Sequence, residues 1–265
     1  MNEHVSPPGQ DEQRRETIAY VVRHAHIPSH EHDVALTEEG VRAAEEAGRE
    51  FAGRVVADEV VFLHGPARRA RETAEAMYRG LVRALAETGG TAHIFPPAPQ
   101  AKLCNVRMWV DGYLQEAMRL LHDAVRAAYQ ETPSPEHAAR LAYHDAFWSA
   151  PDAIAYWLAH PSPYAEPPEA VASRLAEVIR AQLSIRPAPP AERRHVVCIS
   201  HSGPMRAFLR AVLGEDPGEP DFCEHFAVWR DPDRTVWLAF RGQLHEISGP
   251  VRALVKADSG TPRHL

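Results

Sequence analysis

Cysteine is scarce. Three residues, Cys104, Cys198 and Cys223, are spread over 265 positions with no Cys-x-x-Cys pair. A disulfide framework or a zinc ribbon needs closely paired thiols, so neither is expected, and a reducing compartment fits. Long apolar runs are missing as well. No stretch approaches the ~20 residues of a membrane-spanning helix, and the polar opening MNEHVSPPGQDEQRRE lacks the apolar core of a secretory signal. The expectation is a cytoplasmic protein with no membrane partner. Basic charge is in deficit too. Lys and Arg number 29 against 36 Asp and Glu, a net charge of -7, which argues against a nucleic-acid partner while leaving room for a local positive pocket.

Proline and histidine, by contrast, are plentiful, at 23 and 16 residues. The prolines gather in Phe95–Gln100, Pro161–Pro168 and Arg186–Pro190, which read as short loops between elements rather than as domain linkers. With 45% hydrophobic and 25% charged residues, the chain has the composition of a globular domain with one sizeable core. Residues 1–16 read as a disordered arm, 17–249 as the domain and 250–265 as a tail.

The apolar, β-branched run Thr17–Val22 reads as a buried strand, as do Glu59–Leu63 and His195–Ser200, with Ala92–Phe95 a short fourth. Thr37 is a good N-cap for a helix whose first turn carries Glu38 and Glu39. Further helices are expected from about Ala67, over Glu169–Leu183 and over Pro204–Leu213, and a hairpin at Asp231-Pro232-Asp233. The stretch from Val106 to Leu158 reads as mainly helical, a cap insertion at about 104–168. Alternating strands and helices give an α/β three-layer sandwich, a mostly parallel central sheet with helices on both faces.

In open α/β sheets ligands bind beyond the carboxyl ends of the strands. There the chain offers Arg23-His24 after the first strand, His64-Gly65 after the second and His201-Ser202-Gly203 after the last, with Arg69 at the start of the next helix. Three histidines and two arginines thus converge on one edge. His24, His26, His30 and His32 also have spacings that suit metal ligands, but no carboxylate or cysteine pattern completes a site, and no metal or cofactor is expected.

Val21-Val22-Arg23-His24-Ala25 resembles the Arg-His-Gly signature of the histidine phosphatase superfamily, which includes phosphoglycerate mutases. Leu36-Thr37-Glu38-Glu39-Gly40 resembles the Leu-Thr-x-x-Gly helix start found after it in that family. Arg69-Ala70-Arg71-Glu72-Thr73-Ala74 is similar to the family's Arg-Ala-x-x-Thr-Ala helix, and Ser200-His201-Ser202-Gly203 to its late Ser-His-Gly-Gly turn. The resemblance spans residues 17–214 and is poor between about 96 and 168. It implies a phosphatase that cleaves a small-molecule phosphate ester through a phosphohistidine on His24, with Arg23, Arg69 and His201 holding the phosphoryl oxygens.

Three departures matter. Ala25 stands where glycine is usual, which is tolerable at negative φ. His26 and His64 replace Glu or Gln and a small serine, and are candidate substrate contacts. In place of the Leu-x-Glu that supplies the general acid, the chain has Leu103-Cys104-Asn105, and Asn105 has no acidic proton; Asp111 is the candidate substitute, with Glu116 beside it. Trp109, Tyr113, Trp148 and Trp157 are candidates for a lid over the leaving group. A phosphoglycerate-mutase-type phosphotransferase, a phosphoprotein phosphatase and a non-hydrolytic phosphate-ligand-binding protein are the competing readings.

Overall fold

The structure is a computed structural model that describes residues 16–110, 113–117, 123, 126–127 and 134–248. Its centre is a seven-stranded sheet in the order β3-β2-β6-β1-β7-β8-β9. The strands are β1 (Glu16–Arg23), β2 (Glu59–His64), β3 (His93–Pro99), β6 (Arg193–Ser200), β7 (His225–Arg230), β8 (Val236–Phe240) and β9 (Gln243–Glu246). β3, β2, β6 and β1 are mutually parallel, and β8 runs with them; β7 and β9 run the opposite way. The short strand β9 has no counterpart in the sequence expectation.

Helices α1 (Glu38–Phe51), α2 (Arg68–Thr88), α5 (Pro168–Leu183) and α6 (Ser202–Leu213) cover the sheet. Side chains alternate across each strand, which sorts them into two cores. Tyr20, Val22, Phe62 and Ile199 pack with Ala74, Met77 and Leu81 from α2. Ala19, Val21 and Cys198 pack with Leu175 and Ile179 of α5 and Met205 and Phe208 of α6. The three-layer expectation is thus met. The α1–α2 contact is a backbone contact: a Cβ on Gly48 would lie 2.0 Å from the Met77 carbonyl oxygen, and one on Gly80 2.0 Å from that of Glu45. Two helices that close fix where the N-terminus of α2, and with it Arg69, meets the sheet edge.

Two sequence expectations need correction. The proline-rich segment at Phe95–Gln100 is not simply a loop, since β3 runs through Pro96, Pro97 and Pro99. β3 is an edge strand with β2 as its sole ladder partner, and the register shifts between Val61 and Leu63; an edge tolerates residues that donate no ladder hydrogen bond. The stretch from Val106 is not mainly helical at its start. It opens with an antiparallel pair, β4 (Arg107–Val110) and β5 (Tyr113–Glu116), with Arg107 opposite Glu116. The intervening sequence Asp111-Gly112 is a strong hairpin signal. Helix follows after the hairpin: residues 123 and 126–127 are helical, and α3 (Pro135–Ser149) and α4 (Ala153–Ala159) come further on.

The cap is tied to the body by a small core in which Val106, Met108, Phe147 and Trp157 meet Val171 of α5 and Ala207 of α6. The hairpin is stitched along 164–166, where the Trp109 N–H donates to the Tyr164 carbonyl at 2.9 Å and the Glu166 N–H to that of Arg107 at 2.8 Å. Among the described residues no helix is long and apolar enough to cross a membrane.

Candidate active site

The ends of β2, β6 and β1 lie side by side, and backbone hydrogen bonds lock the residues just beyond them. The His24 N–H donates to the Ser200 carbonyl at 3.0 Å and the Gly65 N–H to that of Ile199 at 3.1 Å. His24 and His201 are thereby brought edge to face, ring centroids 5.2 Å apart. Ala25, next to His24, has no positive φ, which is why a Cβ is accepted there. Its N–H donates to Thr73 Oγ1 at 3.0 Å, and that hydroxyl donates to the Arg69 carbonyl at 2.7 Å. The spacing of Arg69 and Thr73 therefore has a physical meaning: one turn of α2 clamps the loop that carries His24.

His24 is buried, 3% exposed. Its Nδ1 lies 2.8 Å from the Ala25 carbonyl oxygen. A carbonyl only accepts, so Nδ1 carries the proton and Nε2 keeps a free lone pair. Burial, reinforced by the positive charge of Arg69, holds its pKa well below the ordinary imidazole value, so it is neutral. Burial and then Arg69 do the same to His201. Neither nitrogen of His201 has a hydrogen-bond partner among the described residues, nor does Nε of Arg23 or Arg69. Buried polar atoms are nearly always paired, so four such atoms in one cluster are the mark of a place where a polar ligand sits.

Arg23 is held from the loop after α6. Glu219 Oε1 lies 2.8 Å from Nη2, the Pro220 carbonyl accepts from Nη1, and Phe222 lies under the guanidinium at 4.1 Å. Arg69 is held more loosely, with Asp33 at 3.6 Å and Glu116 at 3.7 Å. Glu116 comes from β5, and its Oε1 accepts the Asn105 N–H at 3.0 Å. The hairpin thus carries a carboxylate to the place where the sequence offers Asn105. That loop is itself fixed by the buried Arg174, which donates to the carbonyls of Lys102, Cys104 and Asn105, each at 2.7 Å, and pairs with Glu166.

A chamber of about 430 Å³ opens above the cluster, lined at its base by Arg23, His24, His30 and His201. Arg69, His26 and His64 are not among its lining residues. His26 instead has Nδ1 3.0 Å from Thr37 Oγ1, the N-cap of α1, and His64 Nδ1 lies 2.8 Å from the Gly65 carbonyl oxygen. His30, grouped with the loop histidines in the sequence, takes the place at the base. Asp111 lies outside the described residues. Of the four lid candidates, Trp148 lines the chamber; Trp157 is fully buried, donating to the Glu166 carbonyl, and Trp109 and Tyr113 are exposed. Sequence reasoning missed Glu219, Phe222 and Arg174, none of which belongs to a motif. Among the described residues no group of three His, Cys, Asp or Glu side chains is arranged to hold a metal ion.

A mostly parallel sheet with an arginine–histidine pair at the end of its first strand, a second arginine on a helix beside it and a second histidine after β6 defines an α/β protein with a cationic pocket at the carboxyl edge of its parallel strands. The sequence model of the histidine phosphatase superfamily (branch 1) matches residues 19–88 and 129–231. The chain belongs to that superfamily. No curated protein sequence matches it. Similar solved structures include Bacillus stearothermophilus YhfR, at 18% identity and a TM-score of 0.52 over 86% of this chain and 97% of that one. They also include a phosphoglycerate mutase from Bacillus anthracis, at 17% identity and a TM-score of 0.48 over 93% and 98%. A mycobacterial glucosyl-3-phosphoglycerate phosphatase is similar at 19% identity and 0.42, over 83% and 95%. At these identities the likeness to YhfR speaks for the fold.

Proposed function

We propose that this protein hydrolyses a small-molecule phosphate monoester through a phosphohistidine on His24. The observation that carries the reading is the state of His24: neutral, with Nδ1 tied to a carbonyl and Nε2 free, beside His201 and Arg69 atoms that have no partner. In the first step the Nε2 lone pair forms a bond to phosphorus while the P–O bond to the leaving group breaks. Arg23 and Arg69 offer forked donors to the phosphoryl oxygens and His201 a further one, so charge is stabilised by groups already in position. These cations take up the charge that develops, and the chemistry asks nothing of a metal.

The leaving oxygen needs a proton, and Glu116 is the group suited to deliver it. It stands 3.7 Å from Arg69, and its backbone neighbour Ala117 lines the chamber, so its carboxyl belongs to the edge of the same site. In the second step water attacks phosphorus, the N–P bond breaks, inorganic phosphate leaves, and the Glu116 carboxylate takes the proton that water gives up.

Rapid acid-free denaturation of the protein during turnover should trap a phosphate that is labile to acid and stable to base, absent from His24→Ala. Turnover by a folded His24→Ala protein at the wild-type rate would remove His24 as nucleophile. Glu116→Gln should slow alkyl phosphates ~100-fold or more and activated aryl phosphates far less, since only the former need the acid. An equal loss on both classes would mean that Glu116 positions Arg69 and carries no proton.

A further inference from the structure

Beyond its cationic base the chamber changes character. Its upper wall is formed by Val106, Ala117, Phe147, Trp148, Pro151 and Ile154, all from the cap. We infer that the leaving group accepted here is an uncharged hydrocarbon body, aromatic or branched, and that sugar phosphates, phosphorylated carboxylic acids and bisphosphates are poor substrates. This rests on the reading of the base as a phosphoryl site.

A second anionic group on the substrate would need a second cation. Among the described residues Arg23 is the one arginine or lysine that lines the chamber, and it belongs to the base. A carboxylate or second phosphate reaching upward would lie against hydrocarbon, stripped of water and unpaired.

A cationic leaving group fares no better, because the two carboxylates that line the chamber among the described residues are already engaged. Both oxygens of Asp152 accept from Arg206 Nη1, at 2.8 and 2.9 Å, and Oδ1 also accepts the Ala155 N–H that caps α4. Glu219 lies 3.0 Å from Arg206, 2.8 Å from Arg23 and 2.5 Å from the Ser202 hydroxyl that donates to it. Arg206 is 1% exposed and has Asp216 as a further partner, so it does not turn toward the chamber.

Sugar hydroxyls meet the same difficulty in a neutral form. Ser202 and Asp152 are bonded as above, and Asn105 Oδ1 accepts the Val106 N–H at 2.8 Å. Hydroxyl groups entering this space would lose water and gain little in return. The wall is also closely built. A Cβ on Gly203 would lie 2.5 Å from Val106 Cγ2 and 3.4 Å from Ile154 Cδ1, so the first turn of α6 and the cap nearly touch. Trp148 stands edge-on to Phe147, centroids 5.0 Å apart, and gives a ring against which a flat or branched group packs.

The test compares alkyl esters, so that leaving-group basicity varies little: 2-phenylethyl phosphate, sn-glycerol 3-phosphate, glucose 6-phosphate and 3-phosphoglycerate. On the wild-type protein kcat/KM for 2-phenylethyl phosphate should exceed the others on the order of 100-fold, the range over which apolar pockets discriminate. Ile154→Lys should move the preference toward 3-phosphoglycerate by at least about tenfold. Calorimetry with 2-phenylethylphosphonate and 3-phosphonopropionate reads the same preference without turnover. Hydrolysis of glucose 6-phosphate or 3-phosphoglycerate as fast as 2-phenylethyl phosphate would overturn the assigned substrate class and leave the phosphatase standing. If no ester is cleaved but the phenylethyl phosphonate binds tighter, the preference holds and the hydrolase reading falls. If neither phosphonate binds, both fall.

Discussion

β6 carries a buried histidine at each end of its run, and the two have opposite fates. His195, near the start, is 1% exposed, with Nε2 3.1 Å from Asp58 Oδ2 and Nδ1 3.3 Å from the Tyr20 hydroxyl. His201, just past the end, is also 1% exposed and has a partner on neither nitrogen among the described residues. Around His195 the charges are matched: Asp58 takes the Arg193 N–H, and Glu59 pairs with Arg194 at 2.6 Å. His201 itself faces a cation, Arg69, whose own carboxylate partners stand further off, Asp33 at 3.6 Å and Glu116 at 3.7 Å. Burial alone therefore says nothing about function. A buried imidazole with both nitrogens answered is part of the frame, and one left open beside a cation is poised for an anion. The same strand holds both because its apolar middle fixes the rings at the two ends of the sheet, one of which is the ligand-binding edge.

The largest effect that separates the two ends is on turnover. His201→Ala should lower kcat ~100- to 1,000-fold with a smaller change in KM, as removal of a donor to the developing charge does. Asp58→Ala, at the other end, should leave kcat/KM of the folded protein unchanged and cost stability. It leaves His195 and two backbone N–H groups without their acceptor, at about 1–3 kcal/mol for each group left unpaired. Steady-state kinetics and urea unfolding on the pair provide the check. Equal losses of kcat in both variants would erase the distinction between a frame end and a working end.

Legibility in the sequence divides along the same line. β1, β2 and β6 are legible because parallel strands buried on both faces are continuous apolar runs, and the residues next in sequence after each of them fall at one edge. Arg23, His24, Arg69 and His201 are therefore placed together by the sequence alone. The start of β3 is legible at Ala92–Phe95, but its second half is hidden because its prolines are acceptable only at an edge, and edge position is a fact of tertiary pairing. The β4–β5 pair is announced by Asp111-Gly112 between the apolar runs Met108–Val110 and Tyr113-Leu114, a signal outweighed by the helical pattern further along. Glu219, Phe222 and Pro220 hold Arg23 from almost two hundred residues away, and nothing local marks them. The choice of His30 over His26 at the base depends on the N-cap hydroxyl of Thr37 engaging His26 first, a contact no spacing rule reveals.

The smallest effect is on the pH dependence of stability, and its sign comes from the imidazoles that burial lowers, His24 and His201 the furthest. In the unfolded chain His24 and His201 take up protons as pH falls below about 6.5, the ordinary imidazole value. In the folded protein burial and Arg69 keep both neutral to well below that pH. Below about 6.5 the unfolded state therefore binds more protons, and stability rises with pH. The penalty is absent above that value, grows as pH drops, and stops growing only at the depressed folded pKa. Each histidine contributes a slope of at most about 1.4 kcal/mol per pH unit. His201→Gln should flatten the fall in unfolding free energy between pH 6.5 and 5 by up to that amount. His195→Gln should flatten it less, because burial lowers that imidazole while its hydrogen bond to Asp58 pulls the other way. Urea unfolding of wild type and both variants across that range decides the matter, since carboxylates common to all three cancel in the differences. Identical slopes in wild type and His201→Gln would mean that His201 takes its proton in the folded state, and the contrast between the two ends of β6 would lose its electrostatic basis.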